Sequence, residues 1–153
     1  MDIFSHGLWT GILGRIINKN RKKKLNLWLT MFFGVMPDVL SFALLFIFLI
    51  SQLAFGNIKF SDLPRPEAAE PATRDTSILF NITSGIYNFT HSIFVFLIVF
   101  LLVFLILKRP LLEMAGWLFH IIIDIPTHSY RFYPTPFLWP FSQWKFDGIS
   151  WAE

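Results

Sequence analysis

The stretch SIFVFLIVFLLVFLIL, residues 92–107, runs for sixteen residues without a charge and stops at Lys108-Arg109. A run this long and apolar belongs in a large protein core or a lipid bilayer. The chain has 153 residues, of which 54% are hydrophobic, 18% aromatic and only 15% charged, with 19 Phe among them. A soluble enzyme of that size could not cover so much apolar surface with a solvated shell. The chain therefore reads as one integral membrane domain over residues 1–153.

Four apolar segments predict an all-α, polytopic membrane bundle of about four helices. The first, roughly residues 3–18, is weakly amphipathic and either spans or lies on the surface. The second, 25–55, contains Pro37-Asp38 and exceeds the roughly 20 residues needed to cross, so Pro37 is expected to kink it or divide it. The third covers about 83–107 and the fourth 111–125. Residues 56–78 are rich in proline and charge and read as a solvated extracytoplasmic loop. Residues 129–153 carry three Pro and three Trp, the composition of an aromatic interfacial tail.

Charge fixes the direction. The net charge of +3 is more than accounted for by Arg21, Lys22, Lys23 and Lys24, which lie between apolar segments. Such a run is a cytoplasmic anchor, and no nucleic-acid partner is expected. With Lys108-Arg109 also cytoplasmic, the proline-rich loop and both termini fall on the far side of a cytoplasmic (inner) membrane. Asp2 stands where a signal peptide would carry positive charge and Arg15 interrupts the apolar stretch, so the first segment is treated as retained. There is no cysteine, which excludes disulfides, thiolate ligands and thiol catalysis.

Against that background, GWLFHIIIDIPTHS at residues 116–129 places His120, Asp124 and His128 four residues apart, on one side of a helix. Polar groups at membrane depth need a partner, a protein interior or water, and so they mark a site. His6 lies fifteen residues before Arg21, Asp38 fourteen after Lys24, His91 seventeen before Lys108, and His120 and Asp124 eleven and fifteen after Arg109. At about 1.5 Å per residue these are depths of about 16 to 26 Å, so five residues from four segments can share one level in the outer half of the membrane.

Imidazole nitrogen and carboxylate oxygen without sulfur suit Zn²⁺, with Mn²⁺ or Fe²⁺ as alternatives, and a carboxylate can bridge two ions or orient a ligating imidazole. The competing reading is a hydrogen-bonded His120–Asp124 pair that only holds the bundle together. His128 follows Pro126 and is open to three roles: a further metal ligand, a proton-transfer group or an interfacial residue. Arg131 and Lys145 are candidates for binding an anionic headgroup, against the common role of snorkelling anchors. The six Trp read as membrane-belt residues, and NIT at Asn81 and NFT at Asn88 match the glycosylation acceptor pattern.

FSHGLW, MPD, FTHS, HIIID and FLWPFS occur in that order over nearly the whole chain. The set resembles the YdjM family of membrane-bound, metal-dependent hydrolases, itself similar to zinc-dependent phospholipase C and the P1-type nucleases, which are all-helical. The resemblance implies a phospholipase C/P1 nuclease-like fold, with His6, Asp38, His91, His120 and Asp124 at ligand positions. Val39-Leu40 replaces a second acid found in many members, Ile86-Tyr87 replaces a His-Arg pair, and the tail has no His-x-x-x-Glu pair. One or two ions are therefore expected.

The function expected is hydrolysis of a phosphoester in a membrane lipid or lipid-linked substrate by a metal-activated water, with Asp38 or Asp124 as ligand or proton acceptor. The alternative is a non-enzymatic metal or proton carrier, or an assembly factor, built on the same residues. A carrier needs polar groups towards the cytoplasmic face, where the third segment has none below His91 and the fourth only Glu113.

Overall fold

The computed structural model describes residues 2–62, 78–130 and 133–150, and the regular elements among them are all helical. α1 spans Ile3–Lys19, α2 Leu27–Ala54, α3 Ile78–Thr90, α4 Ile93–Leu107 and α5 Ala115–Thr127, with 3₁₀ turns at Phe60–Asp62 and Leu112–Met114. The all-α class is as expected, with five helices where about four were expected. The proline-rich loop falls largely outside the described residues.

Asn26 starts α2, its side chain accepting from the Leu29 amide at 3.2 Å. Pro37 sits inside this helix and does not divide it. Proline removes only its own amide donor, and α2 is packed by α1, α3 and α5, which makes the loss tolerable. Asp38 therefore stays at the depth that a continuous helix gives it.

The third apolar segment does break. A single helix was expected through 83–107, but Asn81–Thr90 and Ile93–Leu107 meet at 63°. Ser92 leaves the helical conformation and caps α4, its hydroxyl accepting from the Val95 amide at 3.3 Å. The backbone groups freed at the bend find distant partners: Trp117 Nε1 donates to the Thr90 carbonyl at 2.6 Å, and the Ile93 amide donates to the Phe137 carbonyl at 3.1 Å. A bend at membrane depth survives only when protein covers it in this way.

α2, with 28 residues, is long and apolar enough to cross a bilayer, and the bent α3–α4 pair is a second candidate if taken as one span. α1 and α5, with 17 and 13 residues, fall short of the roughly 20 of a straight crossing. The surface is apolar: Trp28, Phe32, Ile47 and Ile50 of α2 and Ile98, Leu101, Leu102 and Ile106 of α4 all point outward. Inside, more polar and charged residues than apolar ones are buried among those described. That inversion suits a lipid solvent, where polar groups must find partners within the protein.

Small residues bring the polar side chains to one level. A Cβ on Gly34 would collide with the Thr10 side chain of α1, and one on Gly116 with the Thr30 carbonyl of α2. α1 and α5 thus both meet α2 where it has little bulk, one turn before Asp38. The tail completes the enclosure. Tyr133, Pro134, Thr135 and Pro136 are buried, Phe137 and Trp139 pack on the apolar core of Val95, Phe96, Met114, Trp117 and Ile121, and Ser92 Oγ donates to the Trp139 carbonyl. The Gly148 and Ile149 amides donate to the carbonyls of His128 and Pro126 at 2.9 and 3.0 Å. The tail is therefore partly interior, while Phe141, Trp144 and Ile149 keep an exposed apolar edge.

Candidate metal centre

His6 comes from the second turn of α1, where Asp2 provides the cap. The Ser5 hydroxyl and amide donate to its carboxylate at 2.5 and 2.9 Å, and these bonds hold the Asp2 carboxyl below the usual range. Asp38 comes from the middle of α2, His91 from the bend between α3 and α4, and His120 and Asp124 from one face of α5. His6, His91, His120 and Asp124 are fully buried and Asp38 is 4% exposed.

All five converge. His6 Nε2 lies 3.0 Å from Asp124 Oδ1 and 3.8 Å from Asp38 Oδ2. His120 Nε2 lies 3.2 Å from Asp124 Oδ2 and 3.7 Å from Asp38 Oδ1, and His91 Nε2 lies 3.5 and 3.4 Å from the same two oxygens. His128, left open by the sequence, joins them with Nε2 at 3.3 Å from Asp124 Oδ1. Arg131 lies outside the described residues. Lys145 is on the half-buried part of the tail, where burial pushes its ammonium below the ordinary lysine value.

The outer nitrogens reveal the chemistry. His120 Nδ1 is 2.7 Å from the Gly34 carbonyl, His91 Nδ1 is 3.1 Å from the Tyr87 carbonyl, and His128 Nδ1 is 2.8 Å from the Tyr133 carbonyl. A carbonyl only accepts, so each Nδ1 carries a hydrogen, and in its neutral form each ring turns an Nε2 lone pair inward. The backbone carbonyl behind a ligating imidazole is the usual support of a metal site. His6 Nδ1 and Asp38 Oδ2 are buried and have no hydrogen-bond partner among the described residues. Two carboxylates and several inward lone pairs in a dry interior repel one another until a cation lies among them. Asp38, His91, His120 and Asp124 each offer a donor atom, all within 4.8 Å of one another, and so fit a metal ion by donor type, spacing and burial.

A supporting layer escaped the reading of the sequence. The Tyr87 ring stacks on His91 with centroids 3.8 Å apart, and its hydroxyl donates to the Tyr133 carbonyl at 2.9 Å while lying 3.2 Å from His128 Nδ1. Thr90 Oγ1 is 2.9 Å from His91 Nδ1 and 2.8 Å from Ser41 Oγ. The one available signal was helical spacing, since Tyr87 lies one turn before His91. The carbonyls of Gly34 and Tyr133 left no trace in side-chain chemistry.

The fold and this centre define an all-helical membrane protein with a buried His/Asp cluster able to hold a metal ion. The chain belongs to the YdjM inner membrane protein family, whose profile matches residues 1–151. No curated protein and no solved structure matches the chain, so the likeness to phospholipase C and the P1-type nucleases has no structural match behind it.

Proposed function

We propose that this protein is a membrane-embedded, metal-dependent hydrolase that acts on a phosphoester of a lipid or lipid-linked substrate. The observation that carries this reading is the inward set of Nε2 lone pairs around Asp38 and Asp124, with three of the rings fixed from behind by backbone carbonyls. A divalent ion held by Asp38, His91, His120 and Asp124, Zn²⁺ or alternatively Mn²⁺ or Fe²⁺, would acidify water and offer a counter-charge for the phosphoryl oxygens.

The chain's own residues do the rest. Carbonyl-bound imidazoles hold the donor atoms still, so no reorganisation is needed at the moment of reaction. Asp38 is the carboxylate of the pair with some exposure, which makes it the group placed to take a proton from water, with Asp124 as the alternative. Arg131 and Lys145, on the tail, are the residues proposed to meet an anionic headgroup. The basic runs Arg21 to Lys24 and Lys108-Arg109 support a multi-pass arrangement with their ends of the helices in the cytoplasm. The site then lies towards the outer leaflet, and the apolar surface of α2 and α4 leaves a lipid substrate free to approach sideways.

The depth of burial favours a second reading, a metal centre with no turnover that serves a carrier or an assembly factor. One experiment separates the two. The purified protein in lipid is assayed with phospholipids, lipid phosphates and nucleotides, with and without a chelator, beside Asp38→Asn. Hydrolysis that needs the metal and falls at least about a hundredfold in Asp38→Asn supports the enzyme. Retention of metal with no turnover above the variant's background on any substrate rejects it and leaves the non-catalytic centre.

A further inference from the structure

Each carboxylate of the cluster divides its two oxygens between two sets of histidines, two and two for Asp124, two and one for Asp38. Asp124 Oδ2 faces His120 and His91 at 3.2 and 3.5 Å, while its Oδ1 faces His6 and His128 at 3.0 and 3.3 Å. Asp38 repeats the division: Oδ1 faces His91 and His120 at 3.4 and 3.7 Å, and Oδ2 faces His6 at 3.8 Å. Neighbouring donors in a tetrahedral site with bonds of about 2.0–2.2 Å lie about 3.3–3.6 Å apart, and the contacts of the two halves, from 3.0 to 3.8 Å, bracket that spacing. One ion cannot meet all four imidazoles and both oxygens of both carboxylates without exceeding the coordination number that Zn²⁺ ordinarily takes.

We infer that the centre holds two divalent ions, bridged by Asp124 and Asp38. The first is held by His91, His120, Asp38 Oδ1 and Asp124 Oδ2. The second is held by His6, His128, Asp124 Oδ1 and Asp38 Oδ2. This inference rests on the metal reading above and adds the second ion and its ligands. Two features of the second half call for a cation in their own right. His6 is fully buried and its inward Nε2 has no hydrogen-bond partner among the described residues, and Asp38 Oδ2 is a buried oxygen without a hydrogen-bond donor there. Neither feature is explained by an ion in the first half alone.

The second half is also built, not incidental. The His128 amide donates to the Asp124 carbonyl at 3.1 Å, the last bond of α5, and the extended backbone of His128 (φ −119°, ψ 147°) then turns the chain out of the helix. Its Nδ1 is then fixed by the Tyr133 carbonyl at 2.8 Å, with the Tyr87 hydroxyl beside it. This is the carbonyl support found behind His91 and His120, so three of the four imidazoles are oriented by the same device. The tail thereby becomes part of the centre: Tyr133 holds the second site through its backbone, as Gly34 holds the first.

The test counts ions. Full-length protein is loaded with Zn²⁺, freed of loosely bound metal and analysed for metal per chain. A parallel sample is loaded with Mn²⁺ and examined by electron paramagnetic resonance, in which two ions sharing a carboxylate give an exchange-coupled spectrum. Wild type should bind two ions per chain and show the coupled spectrum. His128→Ala, and the bulkier His128→Gln as a check on folding, should each bind one ion and show only uncoupled Mn²⁺. One ion in wild type with no coupling overturns the second site and leaves the metal reading standing. No tightly bound ion at all overturns both, and two coupled ions in both His128 variants remove His128 from the ligand set.

Discussion

His91 Nε2 and His120 Nε2 lie 3.0 Å apart, although one residue sits at the bend between α3 and α4 and the other on α5, 29 positions apart in the chain. Both rings carry their hydrogen on the far nitrogen, bonded to a carbonyl, so the close approach is lone pair to lone pair unless a cation or a shared proton intervenes. Replacing either residue with alanine removes one donor and exposes the other to an uncompensated pair of carboxylates. His91→Ala and His120→Ala should each lower metal affinity by more than about 100-fold, beyond the range seen for supporting residues, and the double variant should be little worse than either single one. Metal titration with a competing chelator measures it. Unchanged affinity in both single variants would leave the cluster as a structural hydrogen-bond network.

Helix approach offers a second check. A Cβ on Gly116 would strike the Thr30 carbonyl and come within 3.1 Å of the Gly34 amide, both of them backbone and unable to swing aside. Gly116→Ala should push α5 off α2 and destabilise the protein by about 1–3 kcal/mol, as overpacking does. Thermal unfolding in detergent reads the loss, and bound metal should fall with it because His120 and Asp124 move together. A wild-type melting temperature in this variant would refute the crossing.

Trp117 tests the bend. Its indole nitrogen donates to the Thr90 carbonyl, a group released where α3 gives way to α4. Trp117→Phe keeps most of the packing and leaves that carbonyl without its indole donor, a loss of about 1–3 kcal/mol. Trp117 offers no donor atom to the metal, so the metal content of the folded variant should equal that of wild type. A fall in metal with no fall in stability would contradict this assignment.

The cap of α1 predicts a pH dependence. Hydrogen bonds from Ser5 hold the Asp2 carboxyl below its usual range, so its contribution is fully present above about pH 3.9 and is lost as pH falls through the lowered value. Asp2→Ala should cost about 1 kcal/mol at neutral pH and less once the carboxyl is protonated, whereas Asp2→Asn should keep most of the cap. Unfolding followed across acid pH compares the three proteins. An equal cost for the alanine variant at neutral and strongly acid pH would exclude the charged cap.

The proposed topology rests on the basic flanks and can be tested by labelling. Glu70→Cys should react with an impermeant thiol reagent from the extracytoplasmic side only, and Lys23→Cys from the cytoplasmic side only. The native chain has no cysteine to confuse the labelling. Labelling of position 70 from the cytoplasm alone would invert the arrangement.

The all-helical class, the apolar exterior and the shared level of five polar residues along their helices were legible in the chain itself, because they are local. Hydrophobic period and length mark helices, and basic residues mark their ends. Counting residues from Lys24 to Asp38, or from Arg109 to Asp124, measures depth along a rod of known rise, and so brought five polar residues to one level before any contact was known.

What those residues do to one another was not local. The bend at His91–Ser92 lies in a segment whose composition favours one straight helix, and it stands because Trp117 and Phe137 take up backbone groups from far along the chain. The place of His128 after Pro126 left open a ligand, a proton-transfer group or an interfacial residue, and the Tyr133 carbonyl draws its ring into the centre. The division of Asp124 and Asp38 between two sets of histidines depends on how closely α1 and α5 approach α2, which the missing side chains of Gly34 and Gly116 decide. Sequence thus determined which side chains reach the same depth, because the rise of a helix is constant. Only the tertiary structure decided which of their atoms meet, because that depends on packing volumes and on the backbone carbonyls that turn each imidazole inward.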